Sequence, residues 1–261
     1  MRTQLKTLFL LVDVFIVLLI YALCPATWSM AGTPLRKLKL TSGEAGADPV
    51  TTLVDTLAAL PEVEQEKKVV KDTLPQRILF FGDSMLEGLS RRLCDYGEKN
   101  GHEVHTVLWY SSSSQKWAQT QTLDYYIKEK KPTFIICCLC SNELFVRDLD
   151  ERDGYIRTIV KKMGDIPFIW ISPPNWKEDT GINELIIKNV GIKRYFDSRH
   201  LKLARAKDGA HPTFAAAADW FDLVAEWMSS DQTAHPIKMD KPDKKVKWHN
   251  VTMLQPDNPG K

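Results

Sequence analysis

The stretch "RILFFGDSMLEG", residues 77–88, decides how this chain is read. Its first half is an unbroken apolar run, Ile78 to Phe81, of the kind that forms a strand buried on both faces. Gly82 then lets the backbone turn sharply, and the spacing of apolar residues over 85–100 predicts a helix. A strand, a tight turn and a helix in succession open a βα unit. The turn carries Asp83 and Ser84, and Ser84 taken alone has two readings, a helix N-cap or a nucleophile.

Outward from this unit, strand-like and helix-like segments alternate. Strands are predicted over 77–81, 103–110, 133–139, 167–171 and 193–196, and helices over 85–100, 116–130, 150–163, 182–190 and 213–228. The pattern is that of the α/β class: a three-layer α/β/α architecture around a central, mostly parallel five-stranded sheet. Right-handed crossovers bring every C-terminal strand end to one edge, and open α/β sheets bind ligands there. Chemistry is therefore expected in "GDSMLEG", "SSSSQKW", "CSNELF" and "SPPNWKEDTGIN", and in "KDGAHPTF" ahead of the last helix.

The 261 residues are 44% hydrophobic and 26% charged, which suits one globular domain with additional segments and excludes wholesale disorder. A formal net charge of +2, with Lys and Arg spread along the chain, lacks the basic patch of a nucleic-acid binder, so no nucleic-acid partner is expected. At the N-terminus Arg2 and Lys6 precede an apolar run over 7–24 broken by Asp13. A mid-segment Asp costs about 2.5–3.5 kcal/mol on insertion, which the surrounding Leu, Ile, Val and Phe offset. Residues 1–24 are read as a membrane anchor, or as a signal segment, since "SMAG" at 29–32 offers small residues at a signal-peptidase spacing. Either reading puts the rest of the chain on the extracytoplasmic side of the cell envelope. Residues 25–75 read as a stalk or linker, 76–230 as the folded domain, and 231–261, rich in Lys and Pro without an apolar period, as a loose polar tail.

The five cysteines offer no disulfide framework. Cys137, Cys138 and Cys140 crowd into "IICCLC", where strand alternation keeps them from converging on one metal, and they are read as small buried residues. No metal and no cofactor is expected.

Asp208 and His211 stand three apart, and Pro212 discourages a helical His211, so the pair is expected on a turn before the last helix. There the carboxylate can hold one ring nitrogen while the other faces the cleft. A serine hydroxyl becomes a nucleophile when a base within about 2.6–3.2 Å takes its proton. Ser84, His211 and Asp208 supply nucleophile, base and orienting carboxylate. The Ser84 N–H, at a helix N-terminus, also points toward developing negative charge. His102, His105, His200, His235 and His249 lack such a setting and are read as structural.

GDS after the first strand, an Asn-containing loop after the third, and Asp-x-x-His-Pro near the C-terminus together resemble the SGNH (GDSL-type) hydrolase superfamily over residues 76–229. The resemblance implies a flavodoxin-like fold, Ser84 as nucleophile with Asp208 and His211 completing a triad, and an oxyanion hole built from the Ser84 N–H, the Asn142 side-chain amide and a backbone N–H of the second block. Two departures stand out. The third block usually reads Gly-x-Asn-Asp, whereas here it is Cys140-Ser141-Asn142-Glu143, and the glycine of the second block is replaced by the serine run 111–114. Ser114, or else Ser113, is assigned the missing donor, since a Gly-to-Ser change keeps the N–H wherever the local φ/ψ suits serine.

Aromatic residues flank these loops. Trp109, Tyr110 and Trp117 surround the serine run and Trp176 lies beside two prolines; rings with a polar handle suit sugar faces. Trp176 and Trp117, with Asp83 and Glu143, are the expected substrate-binding residues, while Trp109 and Trp170 also read as core. The expectation is an extracytoplasmic serine esterase that removes a small acyl group, chiefly acetyl, from an acylated carbohydrate through an acyl-serine. It is attached to the membrane by its N-terminal segment and, by resemblance, works beside a membrane-bound acyltransferase. The same triad fits an O-acetyltransferase whose acceptor is a sugar hydroxyl. A catalytically lapsed glycan-binding module is a third reading, against which the intact Ser84, Asp208 and His211 count.

Overall fold

The computed structural model describes residues 70–256 and the backbone of a short antiparallel pairing of Ser29–Met30 with Thr33–Pro34. The predicted anchor or signal segment and, that pairing aside, the stalk up to residue 69 lie outside the described residues. Among the described residues no helix is long and apolar enough to cross a membrane.

The domain is an α/β fold. Its strands are β1 (Arg77–Gly82), β2 (Glu103–Trp109), β3 (Phe134–Cys138), β4 (Phe168–Ile171), β5 (Tyr195–Phe196) and β6 (Val251–Leu254). Its helices are α1 (Leu86–Asn100), α2 (Ser114–Gln119), α3 (Thr122–Lys130), α4 (Leu149–Met163), α5 (Ile182–Val190) and α6 (Phe214–Met228). The strands form one parallel sheet in the order β5-β4-β3-β1-β2-β6. The chain moves from β1 to β2 on one side and returns to place β3 on the other, so the order reverses between β1 and β3. That reversal opens a crevice at their C-terminal ends.

β1 explains why an uninterrupted apolar run was needed. Ile78 and Phe80 enter one core layer with Leu89, Trp220 and Phe221 of α1 and α6, while Leu79 and Phe81 enter the other with Trp117, Ile156, Ile159 and Ile186 of α2, α4 and α5. Each such residue, removed from water, contributes roughly 1.5–3 kcal/mol, so a polar residue at any of these positions would be costly. α1 and α6 approach so closely that a Cβ added at Gly88 would stand 2.4 Å from the Cβ of Ala217.

Two expectations are corrected. The single helix expected over 116–130 is two, α2 and α3, because Thr120 is extended (φ −99°, ψ 163°). Lys162 of α4 fixes the break, donating to the Thr120 carbonyl at 2.5 Å and to Asp124 at 2.7 Å. The sheet has six strands instead of five, and the sixth comes from the segment expected to be a loose tail. The Ile237 N–H donates to the Met228 carbonyl at 3.0 Å, Val246 N–H to Asp95 at 2.8 Å, and the Trp248 indole to the Ser90 hydroxyl at 3.1 Å. β6 then pairs with β2. Four residues are too few to display a period, and the partners Asp95 and Ser90 lie 151 and 158 residues away, beyond the reach of a local pattern.

Candidate active site

The end of β1 is built around a close approach. A Cβ at Gly82 would stand 1.7 Å from the Cys138 carbonyl oxygen at the end of β3, so no side chain fits there. The Asp83 N–H donates to that same carbonyl at 3.2 Å, and the Leu86 and Glu87 N–H groups turn the chain into α1 by donating to the carbonyls of Asp83 and Ser84. Ser84 is left half-buried at the crevice, and its N–H has no acceptor among the described residues. Its hydroxyl does not cap α1.

The Ser84 hydroxyl instead meets His211, with Oγ and Nε2 2.7 Å apart. On the far side of the ring, Nδ1 lies 2.8 Å from Asp208 Oδ2. With Nδ1 protonated the ring donates to the carboxylate and leaves Nε2 to accept from the serine. Asp208 Oδ1 accepts from the Ala210 and His211 N–H groups, both at 2.9 Å. Those backbone donors, then the His211 side chain, hold the Asp208 carboxyl down at about 2. Such a carboxylate stays ionised and fixes both the tautomer and the tilt of the imidazole.

The turn that presents the pair is a small hairpin. Ala206 N–H donates to the His211 carbonyl at 2.8 Å and Thr213 N–H to the Ala204 carbonyl at 2.9 Å, with Gly209 at φ 72° in the bend. The Thr213 hydroxyl accepts from the Ala216 N–H and starts α6 immediately afterwards, so His211 stays outside the helix as Pro212 predicted. Sequence reading missed Arg205, which donates to the Ala210 carbonyl at 2.6 Å and to the Pro174 carbonyl at 3.1 Å. It ties the histidine turn to the "SPPN" loop; nothing in the local sequence marks an arginine for that work.

Beneath Ser84 lies a buried acidic network. Asp83, fully buried, accepts from the Met85 N–H at 3.1 Å through Oδ1, and from the Ser141 N–H at 3.0 Å and hydroxyl at 2.7 Å through Oδ2. Glu143 is 2% exposed. It accepts from both the N–H and the hydroxyl of Ser114 at 2.7 Å, with the Arg152 guanidinium at 3.3 Å. Loss of solvation drives the Asp83 carboxyl up to about 6 against the pull of its hydrogen bonds, and the charge of Glu143 adds to the rise. These two carboxylates bind the loops after β1, β2 and β3 together.

This network corrects several assignments. Asp83, Glu143 and Trp117 are buried and offer a substrate no surface; Trp117 packs edge-on to Trp109 and donates its indole N–H to the Ser112 hydroxyl at 2.9 Å. Ser114 spends its N–H on Glu143 and is not available to an oxyanion. Within the serine run, Ser111 and Ser113 keep N–H groups without an acceptor among the described residues, and Ser111 lies in the cleft wall. Asn142 is exposed and uses one amide hydrogen on the Ser112 carbonyl at 2.9 Å, and the other has no acceptor among the described residues. Trp176 is half-buried, edge-on to Phe145 at 5.8 Å, and lines a separate depression with Asn175, Asp179 and Arg199 instead of the Ser84 cleft. Asp179 braces that loop by accepting from Asn175, Asn183 and the Gly181 N–H. Cys94, Cys137, Cys138 and Cys140 are buried free thiols.

Two residues of these loops hold a backbone conformation that favours glycine. Cys140 sits at φ 82° and Ser111 at φ 53°, both in the left-handed region that favours glycine. The loops keep the shape that glycine would give, with larger residues in place.

The cleft at Ser84 has a volume of about 610 Å³ and is walled by Met85, Glu87, Tyr110, Pro212, Phe214 and Ala217 together with Ser111, Ser84, Asp208 and His211. Glu87, which sequence reading passed over, accepts from the Tyr110 hydroxyl at 3.1 Å. No model of a known family matches the chain, and no curated protein matches it in sequence.

Proposed function

We propose that this chain is a serine ester hydrolase of the SGNH type that removes a small acyl group, chiefly acetyl, from a carbohydrate. The observation that carries the reading is the hydrogen-bonded series Ser84–His211–Asp208, at 2.7 and 2.8 Å, opening on a cleft. Ser84 Oγ attacks the ester carbonyl while its proton passes to His211 Nε2; the tetrahedral oxyanion accepts from the Ser84 N–H, the second amide hydrogen of Asn142, and the Ser111 or Ser113 N–H. His211 returns the proton to the departing sugar oxygen, leaving an acyl-serine. Water then attacks, giving its proton to His211, and the acid leaves as Ser84 recovers its hydrogen. The negative potential of Asp208 steadies the imidazolium in both halves. The mixed cleft wall, apolar at Met85 and Phe214 and polar at Glu87 and Tyr110, suits a short acyl group beside sugar hydroxyls. The apolar segment over 7–24 supports an extracytoplasmic location, by anchorage or export.

The full-length chain is expected to release p-nitrophenol from p-nitrophenyl acetate, and Ser84→Ala to lower that turnover by about 10³-fold or more, because triad members act as a unit. Equal turnover by the two proteins ends the reading. Supplying an oligosaccharide acceptor and weighing its acetylated form against released acetate separates hydrolysis from transfer.

A further inference from the structure

Beside the Ser84 cleft lies a second cavity of about 650 Å³, and the two share Gly88 and Phe214 in their walls. Their boundary is low because the packing of α1 on α6 allows no side chain at residue 88. The far wall is made by the C-terminal segment, which folds along α1 and brings Lys241, Lys245 and Trp248 to the cavity.

Arg91 stands at the join. Its guanidinium lies 4.0 Å from the Trp248 ring centroid and 4.7 Å from that of Phe214, so two rings hold its plane. Its one acidic partner is Glu87, on the catalytic side, at 3.5 Å, and Nη1 has no acceptor among the described residues. Stacked guanidinium groups lose little freedom on binding and match a planar carboxylate through two N–H donors. Among the other lining residues the charges balance, Arg92, Lys241 and Lys245 against Asp95, Asp219 and Asp222; the positive excess comes from Lys244 and Lys247 beside the cavity, since Asp240 and Asp243 of the same segment pair with Lys238 and Lys99. Arg92 and Lys241 are spent on Asp95 and Asp222, whereas Lys245, with Lys244 and Lys247 on the same segment, has no acidic partner among the described residues. From α6 the lining carries Asp222, engaged by Arg92 and Lys241, and Asp219, which faces the lysines.

We propose that this groove binds an acidic sugar of the ester-bearing glycan, with Arg91 on its carboxylate, Trp248 and Phe214 beside the ring, and Lys245 on the rim. The inference rests on the esterase reading for the identity of the glycan as substrate. Arg91 lies seven residues beyond Ser84, roughly 10 Å at helical rise, so the acidic sugar is a neighbour of the acylated one. The substrate class is then an O-acylated, uronate-containing polysaccharide.

The test uses the full-length chain carrying Ser84→Ala, titrated with tetragalacturonate and with neutral xylotetraose and followed by tryptophan fluorescence. Tetragalacturonate is expected to bind about ten-fold tighter at low salt, with the advantage shrinking toward about 0.5 M salt. Arg91→Gln is expected to weaken it about ten-fold and the exposed Lys245→Gln about two- to three-fold, with circular dichroism unchanged. Equal affinity for the two tetrasaccharides overturns the groove, as does Lys245→Gln binding like its parent where Arg91→Gln either does the same or fails to fold. Acidic-sugar binding by a chain that hydrolyses no p-nitrophenyl acetate leaves the groove standing and removes the esterase; ester hydrolysis without discrimination does the reverse.

Discussion

Two aspartates flank the proposed reaction centre in opposite surroundings. Asp208 is half exposed, and its carboxyl sits at about 2 because backbone N–H groups and His211 donate to it. Asp83, next to Ser84 in the chain, is fully buried and driven up to about 6 by loss of solvation. One is a permanent anion facing an imidazole; the other is a knot between loops. The difference divides the site into an outer half, the Asp208–His211 turn, where the proposed chemistry lies, and an inner half, Asp83–Ser141 and Glu143–Ser114, which ties the loops together.

If that division holds, the largest effect belongs to the outer half. Asp208→Asn is expected to lower kcat for p-nitrophenyl acetate by about 10²- to 10⁴-fold through loss of the correct tautomer. Thermal unfolding should move less than for an inner-half variant, since the side chain is exposed and Asn keeps an oxygen to accept from the Ala210 and His211 N–H groups. A loss of stability as large as that of an inner-half variant, with turnover retained, would break the comparison. Asn142→Ala comes next, with kcat about 10²- to 10³-fold down for the loss of one oxyanion donor. Because the same amide holds the Ser112 carbonyl, a rise in KM is expected beside the fall in kcat, and steady-state kinetics separate the two.

Asp83→Asn should act on folding first. Asn offers one acceptor oxygen where Asp83 uses both, so Ser141 or Met85 loses a partner, at a cost of about 1–3 kcal/mol measured by urea unfolding. The pH dependence gives a sharper test. With the folded carboxyl at about 6 against 3.8 for the ordinary group, the folded protein holds a proton that the unfolded chain has released. The resulting stabilisation is full below about 4 and is lost as pH rises through about 6. Asp208 has the opposite sign: its contribution is present above 3.8 and is lost as pH falls through about 2. Asp83→Asn is expected to flatten the fall in urea midpoint between pH 4 and 7, whereas Asp208→Asn leaves it.

Much of the outer half was legible because its signals are local. Pro212 after His211 marks a turn, and the unbroken apolar run before Gly82 marks a strand packed on both faces. The inner half was not, since its residues read as surface by type. Asp83, Glu143 and Ser114 are polar, yet burial is decided by partners 58 and 29 residues away, so Asp83 and Glu143 were expected at the substrate and Ser114 at the oxyanion. Trp117 failed for the reverse reason: an aromatic near a cleft and an aromatic under it have the same sequence. β6 and the tie from Arg205 to Pro174, 31 residues away, likewise depend on contacts beyond a local window of sequence.

The smallest effect tests the rigidity of the inner half. Cys140 is held at φ 82°, ψ 11°, between β3 and the Ser141–Glu143 turn, where glycine would be at ease. A residue with a Cβ in that region costs on the order of 1–3 kcal/mol and persists only where its surroundings over-determine it. Cys140→Gly relieves that cost but frees the unfolded chain and removes a buried thiol, so urea unfolding should change by less than about 1 kcal/mol. Cys140→Val puts a branched Cβ at the same dihedral and should lose about 2 kcal/mol or more. Equal stability of the Gly and Val variants would mean that the loop relaxes to suit its residue. The bonds from Asp83 to Ser141 and from Glu143 to Ser114 would then not fix the backbone, and the inner half would not be the scaffold on which the position of Asn142 depends.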